Sequence, residues 1–293
     1  MVSLAKTAIG VVKAYSILRR FRPHVVIGTG GYTSAGVIIA AQLRGIKTLI
    51  HEQNVVPGRT NRLLARVADK ICLTFEESKS YFPSGKTVLT GLPLRGEFLS
   101  PPNRVDARKE LGLEPETFTL LVTGGSQGAR TLNEMTLGAL PMLLEAGLQI
   151  LHQTGEKNFA DIEAARPPEA ESYHIRPYIH NMAVAYAAAD LVIARSGAAT
   201  IADLTAIGRP AILVPYPYAG GHQRKNAASI TSRGAAIAVE ESELSSEVLA
   251  ALILDLKNDP ERLAAMASAS ASLAKPDAAR EIIEIAMEIS RSD

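Results

Sequence analysis

Two glycine-rich turns are the residues of this sequence best suited to bind a phosphate. The segment 28–32 (GTGGY) follows the apolar run 24–27, and the segment 124–129 (GGSQGA) follows the apolar run 117–123. Each reads as a strand, a glycine turn and a helix, which directs backbone N–H groups and the positive helix end at one point. A single turn is equally compatible with a tight connection that binds nothing. Two turns, one in each half, predict two phosphate-bearing ligands that meet in a cleft.

Polar clusters follow further predicted strands. They are His51-Glu52-Gln53-Asn54, the stretch from Arg195 to Asp203, and the segment 220–226 (GGHQRKN). In open α/β sheets, ligands bind beyond the carboxyl ends of the strands. Asp203 lies within the first two turns of a predicted helix, where its carboxylate could reach a sugar diol. The alternative is an acid that only stabilises the start of that helix.

The elements that must position these residues alternate along the chain. Strands are predicted at 25–27, 47–50, 71–74, 88–90, 118–123, 149–153, 191–194 and 211–214, and helices at 3–21, 34–43, 59–68 and between the later strands. This alternation predicts an α/β protein with a doubly wound parallel sheet in each half. Residues 93–116 contain four prolines and many charges, which predicts an interdomain linker.

Composition excludes several classes of protein. At 293 residues, with 47% hydrophobic and 21% charged residues, the chain matches a globular protein of two domains. A single cysteine, Cys72, permits no disulfide framework or cysteine metal site; it is interpreted as a buried strand residue rather than a nucleophile. No apolar run reaches the ~20 residues of a membrane span. Lys6 and Lys13 interrupt any signal-peptide core, and a reducing cytosol fits.

The net charge of +1 conceals an asymmetry. Residues 1–70 carry a balance of +9, and the remainder carries −8. The basic part is therefore expected to face an anionic partner, and the few aromatic residues and the lack of a nucleic-acid motif favour a membrane surface over nucleic acid. Lys6, Lys13 and Arg20 recur every seven residues in the first predicted helix, beside Arg19. This pattern is typical of a basic amphipathic helix on lipid, or of an ordinary domain helix with a solvated face.

Seven segments together resemble the MurG family, the bacterial glycosyltransferases that attach N-acetylglucosamine to the lipid-linked muramoyl-pentapeptide of the cell wall. In the order and rough spacing of that family they are GTGGYTS at 28–34, HEQN at 51–54, GLPLR at 91–95, GGSQGAR at 124–130, PYIHNM at 177–182, RSGAATIADL at 195–204 and GHQRKNA at 221–227. They extend over nearly the whole chain.

The resemblance implies a GT-B fold of two Rossmann-like domains that face a cleft, the first of them incomplete. It implies a partial acceptor domain at 1–94, a linker at 95–116, a UDP-sugar domain at 117–275, and a last helix at 276–293 that crosses back to the first domain. The implied reaction moves N-acetylglucosamine from its UDP ester to the muramoyl 4-hydroxyl of undecaprenyl-diphospho-muramoylpentapeptide, with inversion, in peptidoglycan biosynthesis. No cofactor, metal or nucleic acid is implied. The implied location is the cytoplasmic face of the plasma membrane, as a peripheral protein on its anionic surface.

The resemblance also implies site residues. The donor set is Asn54, Arg95, Ser126, Ile179, Ala198, Ala199, Thr200, Ile201, Ala202, Asp203 and Gln223. Ser126 and its loop would hold the diphosphate, the Ile179 backbone would contact uracil, and Gln223 would touch the donor sugar. The acceptor diphosphate would lie near Gly30, Gly31 and Tyr32, and the membrane-facing residues would be Lys6, Lys13, Arg19 and Arg20.

Three departures from the family pattern bear on catalysis. The family begins with another glycine loop that carries a histidine, and the corresponding stretch, about two βαβ units of ~30 residues each, is absent here. His51, Glu52 and His222 are therefore the remaining candidates for the catalytic base. Asp203 replaces the usual Glu, and Gly221 replaces the usual acid before the His-Gln pair. A UDP-sugar-binding module without catalysis, and other GT-B enzymes such as a UDP-N-acetylglucosamine 2-epimerase or a diacylglycerol glycosyltransferase, remain alternatives.

Overall fold

The structure is a computed structural model that describes residues 2–218 and 220–291, with side chains described from residue 9 onward. The chain divides into two compact units. One comprises the residues up to 93 together with those from 275 onward, and the other comprises residues 94–274.

Strands and helices alternate along most of the chain. The strands are β1 Val25–Gly28, β2 Lys47–Glu52, β3 Lys70–Leu73, β4 Thr87–Leu89, β5 Thr119–Thr123, β6 Gln149–Gln153, β7 Tyr173–Arg176, β8 Leu191–Ala194, β9 Ala211–Leu213 and β10 Ala236–Ala238. The helices are α1 Val2–Phe21, α2 Gly31–Leu43, α3 Arg59–Leu64, α4 Arg104–Leu111, α5 Arg130–Glu145, α6 Glu156–Ala164, α7 Met182–Ala188, α8 Ala198–Ile207, α9 His222–Thr231, α10 Ser246–Lys257, α11 Pro260–Ser272 and α12 Ala278–Arg291.

The first unit is built on a parallel sheet in the order β1-β2-β3-β4. One face packs on α2 through residues such as Ile38, Ile50 and Ile71. On the other face, Leu49 and Cys72 pack against α12, whose residues 282, 286 and 289 recur at helical spacing. Burial on both faces explains why these strands read as continuous apolar runs. Cys72 is buried, as predicted, and burial raises the pKa of its thiol to about 11, so the thiol stays protonated.

The second unit is built on a parallel sheet in the order β10-β9-β8-β5-β6-β7. Renumbered within the unit, this is the doubly wound order 3-2-1-4-5-6, and the strand order reverses between β5 and β8. The core contains Leu120, Val122, Ile150 and Ile193, which are fully buried. The predicted fold class, parallel Rossmann-like sheets in an α/β protein, is confirmed for both units. The sheet also places the carboxyl ends of β5 and β8 side by side.

The structure departs from the sequence predictions in a few elements. β7 and β10 were not predicted, because His174 and Arg176 interrupt the apolar pattern of β7 and β10 is a three-residue strand with two alanines. The range 95–116, predicted as a linker, contains α4, which lies in the second unit and packs on α7. Arg108 of α4 is buried and pairs with Asp190 at 2.5 Å. The local signal was present, since Asn103 accepts a hydrogen bond from the Asp106 N–H as an N-cap.

Candidate functional site

The glycine turn after β5 is shaped by close backbone contacts. A Cβ on Gly128 would lie 2.0 Å from the Thr154 carbonyl oxygen, and a Cβ on Gly124 would lie 2.2 Å from the Ala129 nitrogen. Gly125 and Gly128 also have positive φ values, 82° and 73°, which favour glycine. The turn leads into α5, whose N-cap makes no side-chain hydrogen bond. The first N–H groups of α5 and the exposed Ser126 thus meet at the carboxyl edge of the sheet.

The loops after β8 and β9 are tied to each other. Ser196 is buried and donates its hydroxyl to the Gln223 carbonyl at 2.9 Å, while the Gln223 side-chain oxygen accepts from the Tyr216 N–H at 2.8 Å. Gly197 is the N-cap of α8 and, as at α5, no side chain caps the helix. Residues 198–203 therefore form the first turns of a helix that starts at the switch point of the sheet, beside the glycine turn.

Arg195, which opens the same loop, is held inside the unit. It forms an ion pair with Glu241 at 2.5 Å and donates to the Val214 carbonyl at 3.2 Å. Glu241 in turn accepts from the Thr131 hydroxyl, in the first turn of α5, at 2.9 Å. The pair therefore fixes the loop after β8 relative to the start of α5.

Asp203 is the acidic group of this edge. Its Oδ2 lies 3.6 Å from Arg95 Nη2, and Arg95 Nη1 lies 3.2 Å from Glu97. Burial raises the pKa of Asp203 to about 7, Arg95 opposes this rise, and Glu97 adds to it. Arg95 also lies over the ring of Phe98, 4.9 Å from its centroid. Two sequence-predicted donor residues, Arg95 and Asp203, are thus in contact.

Four predicted donor positions follow the carboxyl ends of four strands of one parallel sheet. They are Ser126 after β5, Ile179 after β7, Ala198 after β8 and Gln223 after β9. Asn54 lies instead in the first unit, after β2. Because the ends of parallel strands share an edge, the structure brings these four positions of the second unit to one side of its sheet.

His51 and Glu52 are the last residues of β2, two residues beyond the predicted end of that strand. His51 is buried, burial lowers its pKa, and its Nε2–H donates to the Gly91 carbonyl at 2.9 Å. The Glu52 carboxylate accepts from the N–H groups of Asn54 at 2.9 Å and Gly58 at 3.2 Å. The Glu52 side chain therefore shapes the loop after β2, and the His51 side chain joins the end of β2 to the segment after β4. The third candidate base, His222, begins α9 in the second unit.

The glycine turn of the first unit leads into α2. Gly30 and Gly31 have φ values of 93° and 74°, and the adjacent Tyr32 is 75% exposed. Asn61 of α3, which the sequence analysis missed, donates to Glu52 at 2.9 Å and to the His51 carbonyl at 3.1 Å. Its amide lies 3.3 Å from where a Gly30 Cβ would be. The turn predicted for the acceptor diphosphate is therefore joined to the loop after β2. The only sequence signal was an amide inside a short helix.

The basic helix α1 presents Lys13, Arg19 and Arg20 as exposed residues, while the side chain of Lys6 lies outside the described residues. Ala14 and Leu18 of α1 are buried in the core of the first unit.

No helix among the described residues is both long and apolar enough to span a bilayer.

The comparisons with known proteins place both units in one family. Residues 1–73 match the glycosyltransferase family 28 N-terminal domain, and residues 119–282 match the family 28 C-terminal domain. The UDP-N-acetylglucosamine–N-acetylmuramyl-(pentapeptide) pyrophosphoryl-undecaprenol N-acetylglucosamine transferase of Geobacter sulfurreducens is 47% identical over 285 residues, which cover 96% of this chain and 77% of that protein.

Solved structures agree with this assignment. The crystal structure of MurG from Acinetobacter baumannii superposes with a TM-score of 0.80 at 34% identity, covering 95% of this chain and 77% of that one. The UDP-GlcNAc 2-epimerase of Neisseria meningitidis, solved with UDP-GlcNAc, has a TM-score of 0.70 at 13% identity, covering 96% and 81%, and shares the fold alone. The chain therefore belongs to glycosyltransferase family 28 and, within it, to the MurG family of N-acetylglucosamine transferases.

Proposed function

We propose that this chain transfers N-acetylglucosamine from UDP-N-acetylglucosamine to the muramoyl 4-hydroxyl of undecaprenyl-diphospho-muramoylpentapeptide, the step from lipid I to lipid II. The observation that carries the proposal is the pair of uncapped helix starts, α5 and α8, at the switch point of the second unit. They belong to a chain 47% identical to a relative named for this reaction. Such helix starts suit the diphosphate of a sugar nucleotide.

The donor is proposed to occupy the carboxyl edge of the second sheet. Ser126 and the start of α5 hold the diphosphate, the Ile179 backbone reads the nucleobase, and Asp203 accepts from the ribose hydroxyls. Arg95, Gln223 and Asn54 complete the set, together with residues 198–202. This arrangement is supported by the strand ends that four of these positions follow and by the Arg95–Asp203 contact.

The reaction is a single displacement with inversion. The acceptor oxygen attacks the anomeric carbon, the bond from that carbon to the diphosphate oxygen breaks, and UDP leaves with the electron pair. The acceptor proton passes to a base as the β1→4 bond forms. Because negative charge grows on the leaving diphosphate, the start of α5 stabilises the transition state more than the ground state.

The acceptor is proposed to bind the first unit. Gly30, Gly31 and Tyr32 contact its diphosphate at the start of α2, and Lys13, Arg19 and Arg20 of α1 face the anionic cytoplasmic surface of the plasma membrane. This placement is supported by the positive balance of residues 1–70 and by the exposure of these side chains.

The test is a sugar-transfer assay of the whole chain with UDP-N-acetylglucosamine and a short-chain lipid-linked muramoyl-pentapeptide, run beside calorimetry with the donor alone. We expect donor binding, and UDP release that depends on the acceptor. Donor binding without transfer would support a binding module, and conversion of the donor without acceptor would support an epimerase. Absence of donor binding would refute the proposal.

A further inference from the structure

Gln153 is a buried side chain whose hydrogen bonds join two loops of the second unit. It is the last residue of β6 and is 2% exposed. Its amide nitrogen donates to the Gly125 carbonyl at 3.1 Å and to the Thr123 hydroxyl at 3.2 Å. Its amide oxygen accepts from the Ile179 N–H at 2.9 Å. Both N–H bonds and the oxygen of the amide are therefore used inside the protein.

The two loops follow strands that do not pair with each other. Gly125 belongs to the turn after β5 and Ile179 to the segment after β7, and β6 lies between these strands in the sheet. From β6, the middle strand, Gln153 thus forms hydrogen bonds to the loops on both sides. Of the side chains that could occupy this position, an amide offers two donors toward one loop and an acceptor toward the other.

The two residues after Gln153, Thr154 and Gly155, pack closely against the same glycine turn. The Thr154 carbonyl lies 2.0 Å from where a Gly128 Cβ would be, and a Cβ on Gly155 would lie 2.6 Å from the Gln127 carbonyl oxygen. The end of β6 therefore holds the turn by both side-chain hydrogen bonds and backbone contact.

We propose that Gln153 is a positioning residue that fixes the distance between the diphosphate and nucleobase subsites of the donor. This inference rests on the function proposed above, in which the turn after β5 holds the diphosphate and Ile179 reads the base. Because the spacing is fixed before binding, one nucleotide can contact both loops without the free-energy cost of ordering them. Most of the free energy of the two contacts then contributes to affinity. Gln153 itself does not touch the ligand.

The same strand offers a matched control. Gln149 begins β6, is 1% exposed, and uses its amide on the Glu114 and Thr117 carbonyls, the Thr119 hydroxyl and the Glu114 N–H. It is as buried and as fully bonded as Gln153, but it lies at the amino end of the strand, opposite the proposed site. Q149M and Q153M should therefore lower stability by similar amounts.

The experiment measures, by calorimetry, the affinities of wild type, Q153M and Q149M for UDP, uridine and inorganic pyrophosphate. In Q153M we expect the Kd for UDP to rise about tenfold, while uridine and pyrophosphate change less than about twofold, because only the linked ligand needs the fixed spacing. In Q149M all three affinities should stay within about twofold of wild type.

Amide hydrogen exchange of the whole chain gives a readout that needs no ligand. Q153M should speed exchange at residues 123–129 and 176–181, and Q149M at residues 112–119 instead. Q153E keeps an acceptor for the Ile179 N–H but has at most one donor in place of two, so exchange should become faster at residues 123–129 than at residues 176–181. This variant also serves if Q153M does not fold.

The outcomes separate the two proposals. If the wild-type chain does not bind UDP, the proposed function fails, and this inference fails with it. If the wild type binds UDP and Q153M binds it equally well, only this inference fails. Equal losses of UDP affinity in Q153M and Q149M, or unchanged exchange at both loops in Q153M, would also overturn it.

Discussion

At the scale of single residues, Asp203 links donor binding to pH. Burial raises the pKa of Asp203 to about 7, whereas the unfolded chain has the ordinary carboxyl value. Only the ionised form can accept hydrogen bonds from both ribose hydroxyls without donating one. The charged groups that face it are Arg95, which favours ionisation, and Glu97, which opposes it.

We therefore predict that the Kd for UDP-N-acetylglucosamine rises up to about tenfold for each pH unit below about 7. The sugar nucleotide is the right probe, because its diphosphate diester stays ionised throughout that range. D203N should bind more weakly at pH 8 and should show little pH dependence. The neutral side chain also removes the burial penalty of the charge, so the variant should not be less stable at pH 8.

Calorimetry across this pH range checks the prediction. D161N, at an exposed acid of α6 in the same unit, is the control and should follow the wild-type curve. A pH dependence that survives in D203N would assign the titration to another group.

His51 gives a second residue-scale prediction, which separates a base from a positioning group. In the structure its Nε2–H donates to the buried Gly91 carbonyl. Glutamine can replace that donor, so H51Q should retain kcat within about tenfold of wild type. H51L leaves the Gly91 carbonyl with only the hydrogen bond from the Thr90 hydroxyl, so it should lower the free energy of unfolding by about 0.5–1.5 kcal/mol. Chemical denaturation and the transfer assay measure both. Equal loss of kcat, by several orders of magnitude, in H51Q and H51L would instead mark His51 as the base.

The two residues that organise the site, Asn61 and Gln153, show where sequence reasoning stopped. The residues named from the motifs lie in glycine turns or carry polar groups at strand ends, and both features can be recognised in a short stretch of sequence. Asn61 and Gln153 bond to positions between 9 and 30 residues away along the chain. Such partners depend on which strands become neighbours, and alternation alone does not specify strand order.

At the scale of elements, the conformation of the turn after β5 depends on close packing as well as on positive φ angles. Gly125 and Gly128 both have positive φ, but a Cβ on Gly125 would meet nothing within 4 Å, whereas one on Gly128 would meet the Thr154 carbonyl at 2.0 Å. G125A should therefore lose only the cost of a left-handed alanine, about 1–2 kcal/mol. G128A should lose more, because the turn and the end of β6 must separate.

This matched pair also predicts binding. We expect the Kd for UDP to rise by at least about tenfold in G128A and by less than about threefold in G125A, because only the former displaces the N–H groups at the start of α5. Chemical denaturation and calorimetry of both variants provide the test. Similar losses in the two variants would show that φ alone shapes the turn.

Some strands and helices could be predicted from the sequence, and others could not. β2 and β5 were predicted as strands because burial of both faces makes them continuous apolar runs. The last helix, α12, was expected only from the family resemblance. β7 was missed because His174 and Arg176 interrupt its apolar pattern. α4 was missed because its proline-rich flanks suggested a linker, although its first residues form a capped helix.

At the scale of the whole molecule, charge is distributed along the chain in a way that the net value hides. Residues 1–70 carry +9, and α1 presents Lys13, Arg19 and Arg20 to solvent. The same helix also exposes three apolar residues, Val12, Ile17 and Phe21, at 71%, 65% and 76%. Apolar and basic side chains on one exposed helix are the combination that binds an anionic bilayer surface.

We predict that the chain binds vesicles containing anionic phospholipid, that binding weakens as salt is raised, and that vesicles of neutral lipid bind less. The triple variant K13E/R19E/R20E should lower partitioning onto anionic vesicles by at least roughly a hundredfold, because the loss of three cations at about 1 kcal/mol each already gives that factor and the three new carboxylates add repulsion. The matched control reverses three exposed cations of the second unit, K109E/K157E/R262E, which changes the net charge equally. Vesicle co-sedimentation measures both. If the two triple variants lose partitioning equally, net charge rather than α1 governs binding. The α1 variant alters only the first unit, so its UDP affinity should remain that of the wild type.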